Sequence, residues 1–389
     1  MTKIAYVYIN RMALAGVEKK SLQQAKAIEH LDLPGLDIHV LHPHRRGEQD
    51  GIYYHKIDRL AGPLHLLDFG LTYNFFRYRC VRKLPLSEYD AIILRYDKAD
   101  ASGIRLARLM PVFTEHHTDE RTELFSEAKA SRSIFFKIFK WLRASLESYY
   151  GGPMLRSVRG IIAISDDVRN IQEQKAGRPL NAAVVPNGIG VGETPFSRFK
   201  PFDGTTLHLV FPASHFNPYH GLDRLLASMD AYNGPVRLEL HLVGNFDHSR
   251  LIRHRCVNYH GQLSEPDYER LMAEMNLGVS TLAVYRRNLT DPAALKTREF
   301  MARGLPFIIG YSDVDLRHLP SAVKPMLEFP NDRSLLDFQK ILQFVEAFNE
   351  PSEGLDLSLE MRRYAEQHLD WARKLEHYYR FVHDSLTTD

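Results

Sequence analysis

Lys296 and Glu299, a cation and a carboxylate three residues apart, follow the run Asp291-Pro292-Ala293-Ala294-Leu295. Aspartate followed by proline is a strong helix start. The carboxylate caps the first turn, and proline at the first helical position gives up only an N–H that lacks a partner there. The pattern predicts a helix over 292–303 with Asp291 as its cap. The small side chains of Ala293 and Ala294 leave the amides from Ala293 to Leu295 open, and a helix N-terminus attracts phosphate through such donors and its dipole. Lys296 and Glu299 then share one helical face. The lysine suits a phosphate, and the carboxylate suits a ribose diol. A nucleoside diphosphate lying along the helix fits this set, as does an ordinary capped helix with an internal ion pair.

A second group is Thr114-Glu-His116-His117-Thr-Asp119, after the strand-like Pro111-Val-Phe-Thr-Glu. Histidine at a strand end is often structural. Two histidines between carboxylates also suggest a metal, but no third ligand is recognisable, so no metal is assigned. A third group lies in residues 133–150. At helical spacing, Ile134, Phe135, Ile138, Phe139, Trp141, Leu142, Leu146 and Tyr149 share one broad face, opposite Lys137, Lys140, Arg143 and Glu147. This predicts a core helix with a solvated polar face. The rival reading is a basic, aromatic surface docking on anionic lipid. Residues 69–83, with Phe75, Phe76, Arg77, Arg79, Arg82 and Lys83, have similar chemistry.

The elements that position these groups alternate. Strand-like runs at 4–9, 37–41, 91–95, 111–115, 160–165 and 182–186 alternate with helical patterns at 17–31 and 133–155. The alternation restarts after 204, with strands at 207–211, 238–244, 257–261, 277–282 and 306–310 and helices at 221–231, 265–275 and 292–303. Strands alternating with helices indicate parallel sheets covered on both faces. The Gly- and Pro-rich run 188–204 reads as a linker. The expected organisation is a first domain over 1–187, the linker, a second domain over 205–358, and a helical segment over 359–389.

Composition excludes several classes. The 389 residues are 44% hydrophobic and 25% charged, which is ordinary for a globular chain. Two distant cysteines, Cys80 and Cys256, exclude a disulfide scaffold and suit a reducing cytoplasm. No apolar run is long enough to span a bilayer, and the N-terminus runs straight into a strand, so the expected location is cytoplasmic. A P-loop, a G-x-G-x-x-G after the first strand, a G-x-S-x-G elbow and H-E-x-x-H are all missing, which argues against a P-loop enzyme, an ordinary NAD enzyme, a serine hydrolase of that type and a zincin. Nor does a nucleic-acid module accompany the basic residues. The net charge of +2 hides an asymmetry. Residues 1–190 carry 28 Lys and Arg against 21 Asp and Glu, so the first half is basic and the rest acidic. A basic half suits an anionic partner.

In chain order, Ala15-Gly16-Val17-Glu18, Ile161-Ile-Ala-Ile-Ser165, Val185-Pro-Asn-Gly188, His220-Gly221-Leu-Asp223-Arg, Leu242-Val-Gly244, His260-Gly261 and the Asp291-x7-Glu299 pair with Gly304-Leu-Pro306 resemble the retaining GT-B glycosyltransferases of family 4. The His220 and Leu295-Lys-Thr-Arg-Glu-Phe segments resemble a branch associated with bacterial surface polysaccharides.

The resemblance implies an α/β fold of two Rossmann-like domains facing a cleft, with a C-terminal helix, anchored by Trp371 and Tyr378, crossing back to the first. It implies a metal-independent, retaining hexosyltransferase that needs no cofactor and moves a sugar from a nucleotide-sugar donor to a glycan or lipid-linked acceptor. The basic half would then dock at the inner membrane face. Glu299 would hold the ribose, Lys296 and the amides of Ala293, Ala294 and Leu295 the diphosphate, and Asp291 would lie near the sugar. Gly16 would approach the donor phosphates, with His117, or else His116, at the sugar. The sequence departs from the family where its phosphate-neutralising Arg and Lys fall near His215 and His220, which points to Lys296 for the charge. Alternatives on the same fold are a sugar-nucleotide epimerase, a phosphorylase, or an inactive partner subunit of a glycan-assembly complex.

Overall fold

A computed structural model describes residues 2–10, 15–31, 35–57, 76–130, 133–245, 255–320, 323–348 and 351–388. The chain divides into two units, Met1–Pro186 with Trp371–Asp389, and Asn187–Asp370. Residues 188–204, expected as a linker, and 359–370, expected to return to the first domain, both fall in the second unit.

The first unit runs β1 (Ile4–Ile9), α1 (Ala15–Leu31), β2 (Leu36–His42), β3 (Gly47–Gln49), β4 (Ile52–Lys56), β5 (Ala91–Arg95), α2 (Ala101–Ala107), β6 (Val112–His116), α3 (Glu120–Ala130), α4 (Ile134–Ser157), β7 (Gly160–Ala163), α5 (Asp166–Ala176) and β8 (Ala182–Val184). Its sheet has the order β3-β4-β2-β1-β5-β6-β7-β8. Every pairing is parallel except β3 with β4. β1 is buried along its whole length, as a central strand covered on both faces must be.

The second unit runs β9 (Thr206–His215), α6 (Leu222–Ala231), β10 (Arg237–Asn245), β11 (Val257–Gly261), α7 (Glu265–Ala273), β12 (Leu277–Val279), α8 (Leu295–Arg303), β13 (Phe307–Ile309), β14 (Met326–Glu328), α9 (Phe338–Glu346) and α10 (Pro351–Tyr364). Its sheet is parallel throughout, in the order β11-β10-β9-β12-β13-β14. Leu207, Leu209 and Phe211 of β9 join Leu238, Leu240 and Leu242 of β10 in one core. α11 (Trp371–Thr387) then belongs to the first unit. Trp371, Leu375, Tyr378 and Val382 recur at helical spacing, are fully buried, and pack with Tyr6 and Tyr8 of β1.

α4 departs in part from the expected polarity. Ile134, Phe135, Phe136, Ile138, Trp141 and Tyr149 are exposed, whereas Arg143 and Glu147 are buried. Long-range partners fix this rotation. Arg143 Nη2 meets Asp97 at 2.8 Å. Glu147 accepts from the Tyr96 hydroxyl at 3.0 Å and the Ala99 amide at 2.6 Å, and pairs with Lys175 at 2.8 Å. Part of the second basic–aromatic segment, residues 69–75, lies outside the described residues. Among the described residues, no helix is long and apolar enough to cross a membrane.

Candidate active site

α8 begins at Leu295, three residues later than the Asp291-Pro292 pair predicts, and no side chain caps it. Asp291 serves a different purpose. It is buried, and its carboxylate accepts from the amides of Ala293 at 2.8 Å and Val314 at 2.6 Å, which clamps two loops together. Burial, then the nearby Asp313, pushes its carboxyl up to about 7. Ala293 takes a left-handed backbone with φ of +42°, a conformation that costs an alanine about 1–2 kcal/mol. The Ala293 amide is therefore occupied rather than open. Those of Ala294, Leu295 and Lys296 meet no protein acceptor among the described residues, so the free donors sit one residue further along than expected.

The helix start is held from several directions. Asn187 Nδ2 donates to the Ala293 carbonyl at 3.0 Å. Arg298, fully buried, donates through Nε to the Asn187 carbonyl at 3.1 Å, pairs with Asp313, and reaches Asp315 at 2.7 Å. Gly304 closes the helix in a left-handed conformation, φ +77°, where an added Cβ would come within 2.8 Å of Ser358. Arg298, Asp313 and Asn187 carry no local mark of this role. Their partners lie far away in sequence, and no local spacing signals them.

Lys296 is the second residue of α8. Its ammonium is buried, has no hydrogen-bond partner among the described residues, and lies 4.5 Å from the centre of the Phe211 ring. Burial lowers its pKa to about 7. Glu299 is already engaged. It accepts from Arg303 Nε at 3.0 Å and from the Tyr268 hydroxyl. His220 is buried. Its Nδ1 accepts from the Asn217 amide at 3.2 Å, and burial, then Lys296 and Arg287, drive its pKa down to about 2. It is a neutral loop-holding group beside Lys296. His215 ends β9, and its side chain lies outside the described residues.

In the first unit, Glu115 is the centre and His117 one of its ligands. The wholly buried Glu115 receives the Tyr6 hydroxyl at 2.5 Å, Lys20 Nζ at 2.9 Å, the Tyr378 hydroxyl at 2.6 Å and His117 Nε2 at 3.0 Å. Burial pushes this carboxylate up, but His117 and Lys20 pull it well below its ordinary range. Burial drives His117 down to about 4, so it is neutral near pH 7 and donates Nε2–H to Glu115. Its side chain keeps 19% exposure at the end of β6. His116 is fully buried, with Glu120 at 3.0 Å and Thr114 at 2.9 Å on its two nitrogens and the Tyr96 ring 4.2 Å away. Between the two neighbours, only His117 reaches solvent. Gly16 lies in the first turn of α1, and its surroundings fall outside the described residues.

The sequence model of Glycosyltransferase Family 4 matches residues 25–192. No curated protein sequence matches the chain. Solved structures match over its whole length. A glycosyltransferase from Rickettsia africae shares 12% identity over 100% of this chain and 99% of that one, at a TM-score of 0.64. A sucrose-phosphate synthase from Thermosynechococcus elongatus shares 17% over 99% and 100%, at 0.63. HepE from Anabaena, in complex with UDP-glucose, shares 15% over 99% and 100%, at 0.60. The fold is GT-B, an α/β architecture with two parallel sheets. The likeness to the glycosyltransferases of family 4 rests on residues 25–192.

Proposed function

We propose that the protein moves a sugar from a nucleoside-diphosphate donor to a glycan or lipid-linked acceptor, with retained anomeric configuration, in the assembly of a bacterial surface polysaccharide. The observation that carries this reading is the buried, unpartnered ammonium of Lys296 beside three open amides at the start of α8. An ammonium without a partner in a dry site is unfavourable until an anion arrives. A diphosphate supplies that anion and gains charge as the sugar–phosphate bond breaks, so the group that binds it also lowers the barrier. The neutral His220 beside Lys296 supports giving the lysine this role. Glu299, oriented by Arg303 and Tyr268, holds the ribose. Asp291 fixes the strained loop ahead of the amides, and His117 meets the sugar. The reading requires no bound metal or cofactor. The complex of HepE with UDP-glucose makes a uridine donor the first to try.

The test is a panel of nucleotide sugars, beginning with UDP-glucose, measured for binding by calorimetry and for slow donor hydrolysis, with the released anomer read by NMR. Binding with retained configuration supports the assignment. Failure of every nucleotide sugar to bind overturns it.

The exposed face of α4 supports a membrane-proximal acceptor. Phe135, Phe136, Ile138 and Trp141 stand in solvent beside the exposed Lys137, in the basic half of the chain. Partly inserted aromatics together with cations give reversible, salt-sensitive docking on anionic lipid. Co-sedimentation with anionic vesicles should fall with salt and be lost in Phe135→Ser/Trp141→Ser, while turnover on a soluble acceptor fragment persists. A wild type that ignores such vesicles at low salt removes the membrane from the reading. Arg143 is unsuitable for this test, because it is buried against Asp97.

A further inference from the structure

On the second unit's sheet, the strand period of two separates apolar from polar side chains cleanly. Leu207, Leu209, Leu238, Leu240 and Leu242 face one core, so His208, Glu239 and His241 line the opposite face. Glu239 and His241 are two apart on β10, and Glu239 is in register with His208 of β9. Their side chains converge. His208 Nδ1 lies 3.4 Å from Glu239 Oε2, His241 Nε2 lies 3.9 Å from the same oxygen, and the two nitrogens are 3.4 Å apart.

We infer that His208, Glu239 and His241 form a site for a divalent transition ion of the zinc class. One face of a tetrahedron around zinc, with bonds of about 2.0–2.1 Å, has edges of about 3.3–3.4 Å. Two of the three edges here have that length, and a small rotation of one side chain corrects the third. Two imidazoles and a carboxylate suit zinc, and the fourth position is left to water. The next layer of contacts is already built. His241 Nδ1 lies 3.0 Å from His260 Nε2, with the rings stacked, so His241 can donate its Nδ1–H to His260 Nε2, the tautomer that leaves Nε2 of His241 to the metal. His260 reaches this place at an irregularity in the β10–β11 pairing, where Leu242 pairs with Tyr259 but Val243 with Gly261. The other oxygen of Glu239 is held by Arg237 at 2.8 Å. Phe211, over which Lys296 lies, belongs to the opposite face of the sheet, so this site is separate from the proposed donor site. An ion here would clip β9 to β10 and, through His260, β11 at the sheet edge.

The experiment is a calorimetric titration of the full chain with ZnCl2. The wild type should bind one equivalent at micromolar Kd or tighter, and His208→Ala/His241→Ala should lose that equivalent. Glu239→Gln should weaken binding at least tenfold, and His260→Ala about 10–100-fold with the stoichiometry kept. A wild type that binds no zinc at micromolar concentration, or a double variant that binds like the wild type, overturns the site. Should the double variant fail to fold, the nearly isosteric Glu239→Gln decides, and unchanged zinc affinity there also overturns it.

Discussion

Two buried lysines divide the molecule. Lys20 in the first unit donates to Glu115 at 2.9 Å and lies 4.9 Å from the Trp371 ring centre. Lys296 in the second lies over an aromatic ring in the same way but meets no anion among the described residues. Both have lowered pKa values, to about 8 and about 7, with burial as the leading cause. For Lys20 the Glu115 charge opposes that shift, whereas for Lys296 no charge among the described residues does. A buried ion pair belongs to the architecture, because its partner is built into the chain. For the lone ammonium, the function proposed above supplies the missing anion from outside the chain.

The largest effect expected from this contrast is on stability in the first unit. Glu115→Ala leaves Lys20 as an uncompensated buried charge and strips Tyr6, Tyr378 and His117 of their acceptor. It should lower unfolding free energy by about 3–5 kcal/mol in urea titrations. A loss under about 1 kcal/mol would mean that the pair is not structural. Lys20→Met should cost less, about 1–3 kcal/mol, because Glu115 keeps three donors. His117→Ala should cost less again, while reducing turnover and leaving free nucleoside-diphosphate affinity intact. Equal losses for the diphosphate and the whole donor would make His117 a fold residue only.

Lys296→Met reverses the pattern. It removes an unpaired charge and should leave stability unchanged or raised. The pH dependence has a definite sign. The folded-state value of about 7 lies below the ordinary 10.5, so between those limits the unfolded chain holds more protons and stability rises with pH. Thermal melts should show that rise in the wild type and a smaller one in Lys296→Met.

The contrast also shows what the sequence could reveal. Alternating apolar strands and helices, the order of motifs along the chain and the return of Trp371 and Tyr378 are local patterns, and they fix the architecture. Lys296 was legible as a cation at a helix start, but its burial over Phe211 was not, since Phe211 lies on β9, far back in the chain. Asp291-Pro292 misled for a similar reason. The pair has every local mark of a cap, but the carboxylate finds the Val314 amide, and the left-handed Ala293 delays the helix to Leu295. α4 presents its aromatics outward because Asp97, Tyr96 and Lys175 hold Arg143 and Glu147 inward. Glu115 was legible only as a carboxylate beside two histidines, since three of its four donors come from β1, α1 and α11. The histidine site shows only as Glu239-Leu-His241, a spacing that gains meaning once β9 and β11 flank it.

Calorimetric titration of the wild type and Lys296→Met with UDP, in paired buffers of different ionisation enthalpy below and above pH 7, tests the central claim most directly. The lysine should be protonated whenever the diphosphate is bound. The wild type should therefore take up a proton on binding above pH 7 and bind more weakly as pH rises, and Lys296→Met should lose about 10–150-fold in affinity together with the proton uptake. UDP affinity in Lys296→Met within twofold of the wild type, with the same proton uptake, would contradict the assignment of Lys296 to the donor diphosphate.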